Sequence, residues 1–139
     1  MSPEITGSLF TIVVALIGVL SLIYISRRNA RREAGLKLIE VFNSMKASVD
    51  KEMWSDGNKL HYFLKESFPK LKSQVDNYRI HLRHSRIAGF DKAWISYYNA
   101  DGDDRCECYN HYIAFSSNHN NKKIFEKNVH AILSFADPK

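Results

Sequence analysis

The chain has little of what most enzymes display. Its two cysteines, Cys106 and Cys108, stand one residue apart, so no disulfide framework is predicted. Its six glycines are scattered, and they form no phosphate-cradling loop. Nucleophile elbow and H-E-x-x-H pair are missing as well. Nothing in these patterns points to catalysis, and no cofactor is predicted. There is no internal repeat and no low-complexity tract. The most informative absence is of charge: no charged residue and no proline lies between Ile5 and Ile25, and no Lys or Arg precedes Arg27.

Those 21 residues would form a helix of about 31 Å, matching the ~30 Å hydrocarbon core of a bilayer. Twelve of the seventeen positions from Leu9 to Ile25 are Leu, Ile, Val or Phe. At most, these contribute roughly −4 to −7 kcal/mol towards insertion. A secretory signal needs a basic n-region, a shorter apolar core and a small-residue cleavage site, whereas the chain opens MSPEITGS and leaves the run through YISRRN. The segment is therefore predicted to be retained as a single span, with residues 1–4 a short external tail. Arg27, Arg28, Arg31 and Arg32 all follow it, which by the positive-inside rule places the C-terminal side in the cytoplasm. Tyr24 falls at the predicted interface. Gly7, Thr11, Ala15 and Gly18 share one face of the span, either as a seam where two helices approach closely or as the ordinary small-residue content of membrane helices.

The formal net charge is +5, unevenly spread. Besides residues 26–33, a basic juxtamembrane segment, Lys59, Lys65, Lys70, Lys72, Arg79, Arg83 and Arg86 stand against only Glu66 and Asp76. A membrane-surface or nucleic-acid contact would draw on Arg27, Arg28, Arg31, Arg32, Lys65, Lys70, Lys72, Arg79 and Arg83, each worth about 1 kcal/mol beside anionic lipid. The plainer reading is a solvated face in a positive-inside protein.

Residues 34–139 read as one cytosolic helical domain. Leu38, Val41, Phe42, Met45 and Val49 recur at helical spacing, in a helix that continues directly from the span. Ser55–Asn58 (SDGN) is a turn signal. Leu60, Phe63, Leu64 and Phe68 line the next helix, and Pro69 is expected to begin another, because proline suits a first turn and breaks an interior. Leu71, Val75, Tyr78 and Leu82 continue that helix until RHSR interrupts it. Ile87, Phe90 and Trp94, with Tyr97 or Tyr98, form an aromatic core stripe. Residues 110–116 admit a short extended segment packing Tyr112 and Phe115. A last helix, about Asn121 to Ala136, carries Ile124, Phe125, Val129, Ile132, Leu133 and Phe135, with Asn120 or Asn121 as cap. Four to five helices around one core is the natural packing.

Three constellations bear on chemistry. Cys106, Cys108 and His111 are soft ligands, but C-x-C is off the usual zinc spacing and a fourth ligand would have to come from elsewhere. NADGDD lacks the glycine and glutamate positions of a calcium loop. Arg79 with His84, and Arg105 with His111, match the R-x(4–6)-H pairing of HEPN ribonucleases; roughly one such match arises by chance, and the polar residue that usually follows the arginine is replaced by Ile80 and Cys106.

Phe68-Pro69-Lys70, the step Val75…Tyr78-Arg79 and the run Phe90-x-Lys92-Ala93-Trp94-x-x-Tyr97 resemble a group of small, functionally uncharacterised bacterial proteins with an N-terminal span, in which a C-terminal helix like FEKNVHAILSFAD also recurs. The resemblance covers Ala34 to Tyr98 and Ile124 to Asp137. It implies a bacterial inner-membrane setting and carries no activity.

The expectation is an all-α protein: a single N-terminal transmembrane helix at 5–25 and a small cytosolic bundle. Its expected function is a non-enzymatic module binding an unknown protein partner or a second copy of itself. The alternatives are a basic face contacting anionic lipid or nucleic acid, and a membrane-associated effector or toxin of a bacterial defence system.

Overall fold

The computed structural model describes residues 2–100, 108–113 and 118–137, and among these the chain is all-α. Helix α1 (Pro3–Ser48) is one uninterrupted rod of 46 residues, about 69 Å long at 1.5 Å per residue. Pro3 sits in its first turn, where its missing N–H costs nothing, and Glu4 faces the positive end of the helix dipole. Its apolar N-terminal half is long enough to cross a membrane and is not buried against the rest of the chain. Past the arginines the same helix becomes a core element, burying Ala34, Leu38, Val41, Phe42 and Met45. The apolar segment and the domain therefore share one helix.

The chain then turns twice on aspartates. Asp50 accepts a hydrogen bond from the Met53 N–H at 3.0 Å and caps α2 (Lys51–Ser55). Asp56 ends α2 and starts α3 (Gly57–Arg79), its Oδ1 accepting from the N–H groups of Asn58 and Lys59 at 3.1 and 3.3 Å. The turn expected over Ser55–Asn58 thus contracts to one residue.

Pro69 does not begin a helix; α3 runs through it. Leu60, Leu64, Leu71, Val75 and Tyr78 keep one buried stripe across the proline, and breaking the helix there would throw half of that stripe out of phase. Pro69 itself is exposed, so the Lys65 carbonyl that loses its backbone donor lies on the solvent side, where water can take it up. Burial of five large side chains outweighs a local cost of about 3 kcal/mol.

A tight turn at residues 80–83 leads into α4 (His84–Tyr98), which buries Phe90, Trp94 and Tyr97, with Ile87 and Tyr98 half-buried. Residues 101–107, including Cys106, and residues 114–117, including Phe115, lie outside the described residues. The extended segment expected near 110–116 is corrected where it is described: Asn110–Ile113 is a helical turn, α5. Tyr109 sets it up from the left-handed region (φ 71°), its N–H donating to the Tyr98 carbonyl at 2.7 Å. Tyr112 is thereby turned inward, donating its hydroxyl to the Tyr97 carbonyl at 2.6 Å and accepting from Asn128 at 2.9 Å.

The last helix, α6 (Asn118–Leu133), begins earlier than its sequence pattern suggests. Asn120 and Asn121 lie inside it and do not cap it; Asn121 is buried. Phe125, Val129 and Ile132 form its core stripe, while Ile124 is left exposed.

The four long helices close a ring: α1 packs on α3, α3 on α4, α4 on α6 and α6 on α1. Helices α1 and α4 run away from the span; α3 and α6 return towards it. Aromatic rings fill the middle. Trp94 stacks on Phe68 and Tyr97 at 5.5 and 5.6 Å, and Phe42 meets both Trp94 and Tyr97 edge-on. The Tyr97 and Tyr109 hydroxyls are buried near one another without a well-formed hydrogen bond.

Candidate functional site

The returning ends of α3 and α6 meet α1 just below its apolar half. Gly35 allows the approach: a Cβ there would lie 3.3 Å from the Ala136 carbonyl oxygen and 3.4 Å from the Tyr78 ring. Tyr78 donates its hydroxyl to the Phe135 carbonyl and so pins the turn that follows α6. The Phe135 ring packs edge-on against Phe90 at 5.6 Å. On its other side the Arg86 guanidinium sits 5.1 Å from the ring centroid, a cation–π contact.

Above this floor lies a half-open cleft of about 630 Å³. Helix α1 contributes Arg28, Arg31 and Arg32 to one wall, and Arg83 and Arg86 at the start of α4 form the other. Ile25, the last apolar residue of the span, is part of the rim. Asp137 is the one carboxylate among the lining residues, so five guanidinium groups face one acid and the formal excess is 5 − 1 = +4. Among the described residues none of the five arginines is ion-paired. Helices α1 and α4 stand diagonally in the ring, so the two basic walls face each other across Tyr78 and Phe135.

Only part of the basic set expected from sequence converges here. Arg28, Arg31, Arg32 and Arg83 do, and Arg86 joins them. Arg27 is exposed outside the lining. Lys72 is paired with Asp76 at 2.7 Å. Arg79 binds Asp91 through two parallel hydrogen bonds of 2.8 and 2.9 Å. The hydrogen bond from Arg79 holds the Asp91 carboxyl below its usual range, and the same bond raises Arg79 further. Lys65 and Lys70 are exposed on α3, about 21 and 14 Å up the helix from Arg79. The signal for Arg86 is its place three residues after Arg83, the spacing of a helix N-cap and the third residue of the helix it opens.

The other candidates stay apart. Cys108 and His111 are half-buried near α5, and no group of three or more metal-ligating side chains occurs among the described residues. His84 is exposed at the start of α4, while its expected partner Arg79 is held by Asp91. Gly7, Thr11, Ala15 and Gly18 are all exposed on the span, and a Cβ at Gly7 or Gly18 would meet nothing within 4 Å. At the far end of the bundle, Met53, Phe63 and the largely exposed Tyr62 line a shallow, mostly apolar groove.

Three tyrosines in the core carry shifted acidities for a structural reason. Burial raises Tyr97, Tyr109 and Tyr112 well above the ordinary phenol range, because a phenolate there would lose its hydration.

Comparison of the chain with known family models, with curated proteins and with solved structures finds no match in any of the three.

Proposed function

We infer that this is a single-pass inner-membrane protein with its N-terminus outside, holding a non-enzymatic helical domain against the cytoplasmic face, where the arginine cleft engages the anionic surface of the bilayer. One observation carries the reading: Ile25, the last residue of the apolar run, shares a rim with five arginines that, among the described residues, no carboxylate neutralises by ion pairing. A helix that leaves the hydrocarbon at Ile25 brings Arg28 to Arg32 out at head-group depth, and the turn between α3 and α4 brings Arg83 and Arg86 to the same level. Positive charge immediately after the span supports a cytoplasmic domain; the bacterial inner membrane is what the resemblance in the sequence implies.

The test uses the full chain in nanodiscs of phosphatidylcholine, with or without phosphatidylglycerol, and reads amide exchange over residues 80–90 and 134–136. Anionic lipid should slow exchange there, and high salt should restore it, since exposed charge interactions fade beyond about 8 Å at physiological ionic strength. Equal exchange in both discs would refute the surface contact. A C-terminal reporter active only in the periplasm would refute the orientation.

A second reading has its own support. Gly7, Thr11, Ala15 and Gly18 leave one side of the span open to close helix contact, which suits self-association. Crosslinking within the span, lost on Gly7→Leu with Gly18→Leu, would favour it.

A further inference from the structure

We propose that the cleft is a discrete site for a lipid head group carrying two phosphates, of the cardiolipin class. This rests on the surface reading above and narrows it. A diffuse basic surface needs no cavity, whereas here the cations line a recess of about 630 Å³, within the size range of small-ligand sites. A single phosphate would leave most of that volume to water. The cations also come as two groups on helices that stand diagonally in the ring: Arg28, Arg31 and Arg32 on α1, and Arg83 with Arg86 at the start of α4. Two opposed groups of forked donors suit two phosphates joined by a short linker, because guanidinium binds phosphate through paired hydrogen bonds.

Charge balance favours the same ligand. The excess of +4 in the cleft leaves a monoanionic head group under-matched, and two phosphodiesters double the charge placed there. The walls are held in position before any ligand arrives. Arg86 is stacked on Phe135, which Tyr78 holds through its carbonyl; the α1 wall is part of a continuous helix. Little backbone ordering is left for binding, and the cost falls on the side chains of Arg28, Arg31, Arg32 and Arg83. Helix α4 adds its dipole, since it runs away from the membrane and no side chain caps its first turn. Basic pockets on the cytoplasmic side of membrane proteins do hold such head groups.

Soluble bisphosphates share this chemistry. The lipid is favoured because Ile25 on the rim opens the cleft towards the hydrocarbon, where acyl chains would lie along the span.

The experiment titrates the full chain, in a neutral detergent, with cardiolipin, with phosphatidylglycerol at equal phosphate, and with inorganic pyrophosphate, and counts bound molecules by native mass spectrometry. The expected result is one cardiolipin bound well ahead of phosphatidylglycerol and pyrophosphate. Arg32→Gln and Arg83→Gln, both at exposed positions, should each weaken it roughly ten-fold, about 1.4 kcal/mol. Lys70→Gln with Lys123→Gln removes two charges far from the cleft and should leave it unchanged. Equal loss in the cleft and remote variants, or phosphatidylglycerol binding as well as cardiolipin, overturns the two-phosphate site while leaving the surface reading standing. Pyrophosphate binding as tightly as cardiolipin overturns the lipid assignment. No binding of either anionic lipid removes both readings together.

Discussion

Replacing Trp94 by alanine tests the core on which the cleft is built. The indole is only 8% exposed and touches rings from three helices: Phe42 on α1, Phe68 on α3, and Tyr97 and Tyr98 on its own helix. Truncation returns roughly 150 Å² of apolar surface to the account, about 4 kcal/mol at ~25 cal/mol per Å². Measured Trp→Ala losses in cores, about 3–5 kcal/mol, bracket that figure. A domain of this size is stable by about 5–15 kcal/mol in total, so the variant should retain helix but unfold at a much lower denaturant concentration. Urea titration of the detergent-solubilised chain, followed by circular dichroism, measures it. Tyr62→Ala is the control: Tyr62 is 71% exposed, and its loss should stay within about 0.5 kcal/mol. A Trp94→Ala cost below about 1 kcal/mol would mean that the ring does not join the three helices, and the argument for a fixed cleft floor would fail with it.

Three further outcomes follow from particular residues. Pro69→Ala should stabilise the domain by about 2 kcal/mol, because it restores a helical N–H at an exposed position and gives back only a little chain entropy in the unfolded state; a loss of stability in thermal melts would show the ring to be needed. Asp91→Asn should destabilise at neutral pH. The Asp91 pKa is lowered in the fold by Arg79, so its contribution is present above the unfolded value of about 3.9 and disappears as pH falls through the folded one; the gap between variant and parent should close in acid, and a gap independent of pH would count against the ion pair. For Tyr97, Tyr109 and Tyr112 the sign is opposite. Their folded pKa values are raised by burial, so stability is intact below about pH 10 and falls as pH rises through the folded values. Tyrosinate absorbance should then rise together with loss of helix; ionisation of all tyrosines with helicity preserved would refute their burial.

The long apolar N-terminal helix was legible because its evidence is local: an uncharged run, long enough to cross a membrane, ending in arginines. The stripes at Leu38 to Met45 and at Phe90 to Tyr97 were legible through helical spacing alone. Pro69 misled because a residue-level preference worth about 3 kcal/mol was set against a stripe whose burial is settled only by the tertiary fold. Around Tyr109 the chain takes a left-handed conformation at an aromatic residue, for which composition provides no cue. Asn121 reads as a cap because asparagine favours caps, yet in the fold it is buried inside α6.

The cleft was half legible, and the missing half explains why a charge tally is a poor guide to a basic site. Summed along the chain, Lys65, Lys70, Lys72 and Arg79 look equal to Arg83 and Arg86. The fold separates them by height and by partner. Asp76 stands one helical turn from Lys72, and Asp91 is brought to Arg79 by the α3–α4 packing, so those two cations are answered within the domain. Lys65 and Lys70 lie more than a Debye length, about 8 Å, up α3 from its membrane-side end. Arg83 and Arg86 are set apart because the tight turn at residues 80–83 starts α4 beside the foot of the apolar helix, facing arginines more than fifty positions earlier in the chain. No periodicity encodes that meeting. It follows from the up-and-down order of the helices together with the continuity of α1, which carries the foot of the span into the domain with no proline after Pro3. The distance of these five arginines from the apolar half of α1 is therefore set by the same helix that carries it.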